Sequence, residues 1–109
     1  MKQLFLIYTF CYCLNATDFK PLLFSGNCLT CHSINKSISA PSIKKVQKVY
    51  KNAFPLKKDF TEYMSTWVVH PNKEGSLIDD AINEYELMPE LGFDKPTILQ
   101  ISEYIYNMK

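Results

Sequence analysis

From residue 18 onward, apolar side chains recur three and four positions apart, the spacing of helices with one face turned inward. Asp18 and Pro21 mark a first helix that runs to Thr30. Ser42 opens a second, with Ile43, Val46, Val49, Tyr50 and Ala53 inward and Lys44, Lys45, Lys48 and Lys51 toward water. Asp59 opens a third, in which Phe60, Tyr63, Met64, Trp67 and Val68 share a face. Ser76, through Asp79, caps a fourth that buries Leu77, Ile78, Ala81, Ile82 and Tyr85. Asp94 and Pro96 start the last, with Ile98, Ile101, Tyr104 and Ile105 inward. Turns rich in Pro and Asn, such as 71–75, separate these segments. No strand-like alternation extends beyond a few residues, so the pattern predicts an all-α domain of about five short helices.

The first sixteen residues follow a different rule. Met1 and Lys2 precede an apolar run over 3–14, and Asn15 and Ala16 follow it. A short basic start, an apolar middle and a small residue at the end make a secretory signal, with cleavage expected after Ala16 and a mature domain over 17–109. The run falls short of the roughly 20 residues of a membrane-spanning helix, so no stable membrane insertion is expected once the signal is gone. Cys11 and Cys13 would leave with it. Of the four Cys, only Cys28 and Cys31 would remain.

Those two stand in Cys28-Leu29-Thr30-Cys31-His32, the C-x-x-C-H pattern of covalent haem c attachment. Two thiols separated by two residues can add across the vinyl groups on one edge of a porphyrin. The next imidazole can then reach the iron as proximal ligand. A redox dithiol of the thioredoxin kind would need a βαβ surrounding, which the helical pattern lacks. A zinc site would need two further ligands, and His70 alone remains after cleavage. With one haem c expected, the mature chain has no disulfide to form.

Four side chains are candidates for the second axial position: Met64, Met88, Met108 and His70. Met64 lies on the inward face of the third helix. Met108 stands near the end of the chain, where fraying is expected. His70 ends the third helix ahead of Pro71 and suits an exposed role at the negative helix terminus. Met88 lies in the loop Met88-Pro89-Glu90-Leu91-Gly92, where Pro89 biases it away from helical geometry and a thioether can point into a cavity. Met88 is therefore the expected distal ligand, with His70 or an open position as the alternative.

With the attachment motif near the start, Met88-Pro89 well downstream and an aromatic closing helix, residues 18–109 resemble the class I monohaem cytochromes c. That resemblance implies a cytochrome c-like fold of helices and loops wrapped around one covalent haem. Pro41 resembles the family proline whose carbonyl holds the proximal His ring, Phe24 the aromatic that packs on the last helix, and Ile101 and Tyr104 that helix's contact residues. The family usually has Gly eight positions before the first thiol. Here it is Lys20, and two outcomes stay open: its aliphatic stem lies along the crossing with the charge in water, or the contact is wider or shifted. The resemblance further implies a periplasmic electron carrier and no enzyme: single electrons pass between respiratory redox partners through His/Met-ligated iron. A small haem subunit bound permanently to a dehydrogenase or oxidase is the nearest alternative. An open-site haem peroxidase or sensor is a further one.

Composition adds a bound and a question. At 109 residues, with 47% hydrophobic and 21% charged residues, the chain suits a single small folded domain, one whose thin core would gain from a bound group. A net charge of +1 gives no case for nucleic acid, and a monomer is expected. The total hides an asymmetry: residues 19–58 carry eight Lys and no acid, whereas residues 59–109 carry ten acids and three Lys. Such a dipole would let Lys36, Lys44, Lys45 and Lys48 steer the domain to an acidic redox partner.

Overall fold

The structure, a computed structural model, describes residues 18–109. The expected signal over 1–16, with Cys11 and Cys13, lies outside the described residues. Among the described residues there are five helices and no strand: α1 (Lys20–Asn27), α2 (Ile43–Ala53), α3 (Lys57–Val69), α4 (Asp79–Tyr85) and α5 (Lys95–Asn107). None of them is long and apolar enough to cross a membrane.

Local chemistry accounts for most of the boundaries. Ser42 is extended and its hydroxyl accepts from the Lys45 amide, which satisfies one of the free donors at the start of α2. Asp94 does the same for α5 through the Thr97 amide, with Pro96 in the first turn, where its missing N–H costs nothing. α2 stops at Phe54, just before Pro55, and α3 stops at His70, just before Pro71.

Three boundaries depart from expectation. α1 ends at Asn27 and not at Thr30, because residues 28–31 close as a turn in which the His32 and Cys31 amides both bond the Cys28 carbonyl. α3 begins two residues before Asp59, which sits in the first turn with its charge near the positive helix end. Ser76 does not cap α4: its hydroxyl accepts from Ile78 N at 3.1 Å, and α4 starts at Asp79 without a side-chain cap. A turn made two residues early consumes the hydroxyl the cap would have needed.

The core is built around α5. Ile98, Ile101 and Ile105 form its buried stripe, joined by Phe24 from α1, Tyr50 from α2, and Phe60 and Met64 from α3. The helix contact of α3 with α5 is the most extensive, and α1 crosses the same helix. At that crossing the Phe24 and Tyr104 rings lie 5.2 Å apart. Lys20, at the expected glycine position, reaches Glu103 of α5 at 3.3 Å, so its charge ends at the surface.

Gln47, a polar residue within α2, donates to the carbonyls of Ile105 and Met108 at 2.8 Å each. It thereby adds a second donor to the Ile105 carbonyl, which already accepts from the Met108 amide, and Met108 is tied down where fraying was expected. Ala53, expected inward, is exposed at the last position of α2.

Candidate functional site

The five helices leave an apolar cavity of about 200 Å³ between them. α5 forms part of its wall with the Ile98–Ile105 stripe, α2 contributes Val46 and Tyr50, α3 contributes Met64 and Trp67, and α4 contributes Ala81 and Ile82. Met64 belongs to the core, as expected, and also borders this space. Burial holds the Tyr50 phenol well above its ordinary range, so this wall carries no charge near neutral pH.

Cys28, Cys31 and His32 all line the cavity. Cys28 follows the last residue of α1, where its amide still bonds the Phe24 carbonyl at 2.9 Å, and the turn that follows carries Cys31 and His32 round to the same side. Cys28 is half-buried, and desolvation pushes its thiol up to about 11. A reactive dithiol has its nucleophilic thiol lowered, commonly at the positive N-terminus of a helix. Here the pair stands at the opposite end, where the dipole disfavours thiolate. Neither thiol is in a disulfide.

His32 Nδ1 lies 2.7 Å from the Pro41 carbonyl oxygen. A carbonyl can only accept, so Nδ1 carries the ring proton and donates it, which leaves Nε2 with a free lone pair. A bond of this kind, from the ring to a backbone carbonyl, fixes both tautomer and ring orientation before any metal is present. The segment that supplies the carbonyl is itself tied down. Ser39 Oγ donates to the Cys31 carbonyl at 3.0 Å, the Ser42 amide donates to Ser37 Oγ at 2.9 Å, and the Ile43 and Lys44 amides bond the carbonyls of Ser33 and Ile34.

Met88 borders the same cavity from the loop between α4 and α5, together with Leu87, Leu91 and Phe93. Two residues with positive φ bracket this loop. Gly92 has φ 76° and Glu86 has φ 73° with ψ 171°, a region almost reserved for glycine. His70 does not border the cavity. Its ring is exposed at the end of α3, and Nδ1 meets Glu90 Oε1 at 3.4 Å, which ties the outside of the Met88 loop to α3. Among the described residues, no group of three or more His, Cys, Asp or Glu side chains could hold a metal ion, so a zinc site has no support there.

The charged residues expected to steer a partner are unequal. Lys36 and Lys48 are exposed, Lys44 Nζ donates to the Lys109 carbonyl, and Lys45 Nζ is paired with Asp80 at 2.7 Å. That hydrogen bond and charge hold the Lys45 ammonium above its ordinary range. The pair also spans the two oppositely charged halves of the sequence, joining α2 to α4.

Two features of the site were not expected from the sequence. Glu86 carries no compositional sign of its positive φ. Ser102 does carry a sign: it is a polar residue one helical turn from Ile98 on the inward stripe of α5, fully buried and lining the cavity. Comparison with protein-family models, curated proteins and solved structures gives no match.

Proposed function

We propose that this chain is an exported monohaem c-type cytochrome with a cytochrome c-like fold, carrying single electrons between redox partner proteins. Cys28 and Cys31 would hold one haem c through thioethers, His32 would be the proximal ligand and Met88 the distal one. The observation that carries the reading is that both thiols, an imidazole with Nε2 free, and a thioether from a distant loop border one apolar cavity. Haem, when bound, would supply a one-electron couple at an iron that His32 and Met88 would hold.

The chain's own residues account for the rest. The Pro41 carbonyl holds the His32 proton on Nδ1 and fixes the ring, which leaves Nε2 as the nitrogen able to bind iron. Met88 offers a neutral sulfur, a weak donor that favours the reduced metal and so a high potential. The isoleucines of α5 with Tyr50 and Met64 keep water out, which disfavours the added charge of the oxidised form. A dry wall and ligands fixed on both sides keep structural change on electron transfer small. Lys36 and Lys48, with Lys44 and Lys45 beside them, form the candidate docking face for an acidic partner.

The decisive experiment expresses the chain with a haem c maturation system in an exporting host. Colour that remains with the polypeptide after denaturation and acid extraction, with sharp ferrous bands and a weak near-red ferric band of sulfur-to-iron charge transfer, is the expected result. A colourless protein overturns the proposal. Covalent haem without the sulfur band keeps attachment and removes Met88 from the iron.

A further inference from the structure

Among the described residues, Ser102 Oγ is the one buried side-chain polar atom without a hydrogen-bond partner. A buried serine within a helix normally returns its proton to a carbonyl one turn back. Ser65 on α3, equally buried, does so through the Glu62 carbonyl at 3.1 Å, and the exposed Thr61 does so through Lys57 at 2.9 Å. Ser102, in the middle of α5, does not. The side chains of its neighbours on the stripe, Ile98, Ile101 and Ile105, carry no acceptor, and the space it borders is the cavity. Leaving such a hydroxyl unpaired costs stability, whereas alanine at this position would carry no such cost.

We propose that Ser102 is a positioning residue that points the positive end of its O–H dipole at the group filling the cavity and raises that group's reduction potential. The inference rests on the haem reading above. An iron-loaded porphyrin has no N–H of its own to donate, so a hydroxyl that meets it must act as the donor. A donor in a dry cavity stabilises the electron-rich, reduced form over the oxidised one.

The test uses the haem-bearing chain in redox equilibrium with a one-electron mediator dye. Ser102→Ala shifts the equilibrium constant toward the oxidised form by about threefold to tenfold, the tenfold limit corresponding to about 59 mV for one electron. Ser102→Thr keeps a hydroxyl and stays close to wild type. Ser65→Ala, which deletes a buried hydroxyl already bonded to its own helix, leaves the equilibrium unmoved. An unmoved equilibrium in haem-bearing Ser102→Ala overturns the proposal, as does a Thr variant shifted as far as the Ala variant, which would make packing the cause. Either result leaves the haem reading standing. A colourless wild-type chain overturns that reading and this inference with it.

Discussion

Residues 28–44 and residues 86–93 both border the cavity, and they are held by different forces. The first stretch is a hydrogen-bonded frame: the turn at Cys28, the His32–Pro41 bond, Ser39 on the Cys31 carbonyl, Ser37 on the Ser42 amide, and the capped start of α2. No hydrogen bond joins residues 87–93 to other described residues. That loop is set by the positive φ values at Glu86 and Gly92, by Pro89, by packing of Leu87 and Phe93, and by one exposed ion contact. The frame keeps its geometry whether or not the cavity is filled. The loop depends on its contents, so the two sides of the cavity should fail in different ways.

The largest effect separates them outright. His32→Ala removes the proposed proximal ligand, and the yield of haem-bearing protein is expected to fall by about a hundredfold, the upper end of what loss of a residue hydrogen-bonded to a metal ligand costs a metal site. Met88→Ala should still carry covalent haem, lose the near-red sulfur band and bind added imidazole. Absorption spectra of the two variants, normalised to protein, make the measurement. If Met88→Ala also fails to carry haem, the loop is part of the frame and the contrast collapses.

Next comes a change that should strike both sides together. Ile101 is buried on α5, lines the cavity and belongs to the main core cluster. Ile101→Ala should cost about 2–5 kcal/mol in urea unfolding of the haem-bearing protein. It should also broaden the Met88-dependent band before unfolding begins, because no hydrogen bond holds the loop to the other described residues when its packing loosens.

How much of this was legible in the residues follows the same division. The helical faces were readable because burial on one side imposes a period, and the caps at Ser42 and Asp94 because a side-chain acceptor next to free amides acts over three residues. The C-x-x-C-H pattern was visible because it is confined to five consecutive positions, and the structure adds that Cys28, Cys31 and His32 line one cavity. Ser76 misled because a hydroxyl can serve one amide or another, and only the path of the chain decides which. Glu86 was invisible: glutamate favours helix, and its left-handed conformation is imposed by the need to turn away from α4 toward Met88. Gln47, which holds the end of α5 across 58 or more positions of sequence, could not be found from local pattern at all.

The dihedral control of the loop gives a pair of smaller effects with opposite signs. Glu86→Gly should stabilise by about 1 kcal/mol, since it relieves a conformation that costs a side chain about that much or more. Gly92→Ala should destabilise by about 1 kcal/mol, because the added Cβ meets no neighbour and the cost lies in the backbone alone. Ser42→Ala, on the frame side, should cost about 1 kcal/mol through the lost cap. Chemical denaturation of all three, compared with the intensity of the sulfur band, sharpens the comparison: the two loop variants should move the band and Ser42→Ala should not. Equal spectral effects from all three would remove the distinction between frame and loop.

The smallest effect lies where the loop ends. Asp94 accepts from the Thr97 hydroxyl and amide, which together hold its carboxyl below the ordinary value of 3.8. A carboxylate whose pKa is lower folded than unfolded stabilises the fold at pH above the unfolded value, and that contribution disappears as pH falls through the folded one. Wild type should therefore lose cap stability as acid protonates Asp94, releasing the start of α5 and, with it, the C-terminal end of the loop. Asn at this position keeps an acceptor for the Thr97 amide and has no proton to gain. Asp94→Asn should be slightly less stable near neutral pH, where the charge also favours the helix N-terminus. Its stability curve should run flatter than that of wild type through the acid limb, as followed by urea midpoints from about pH 6 to about pH 3. Parallel curves for the two proteins would mean that the acid response belongs to other carboxylates, Glu62 beside Lys95 and Asp80 beside Lys45 being the ones also held low. Asp80 ties α4 to α2, whereas Glu62 ties α3 to Lys95 at the start of α5, so acid would then loosen the surface pairs and leave the Asp94 cap itself in place.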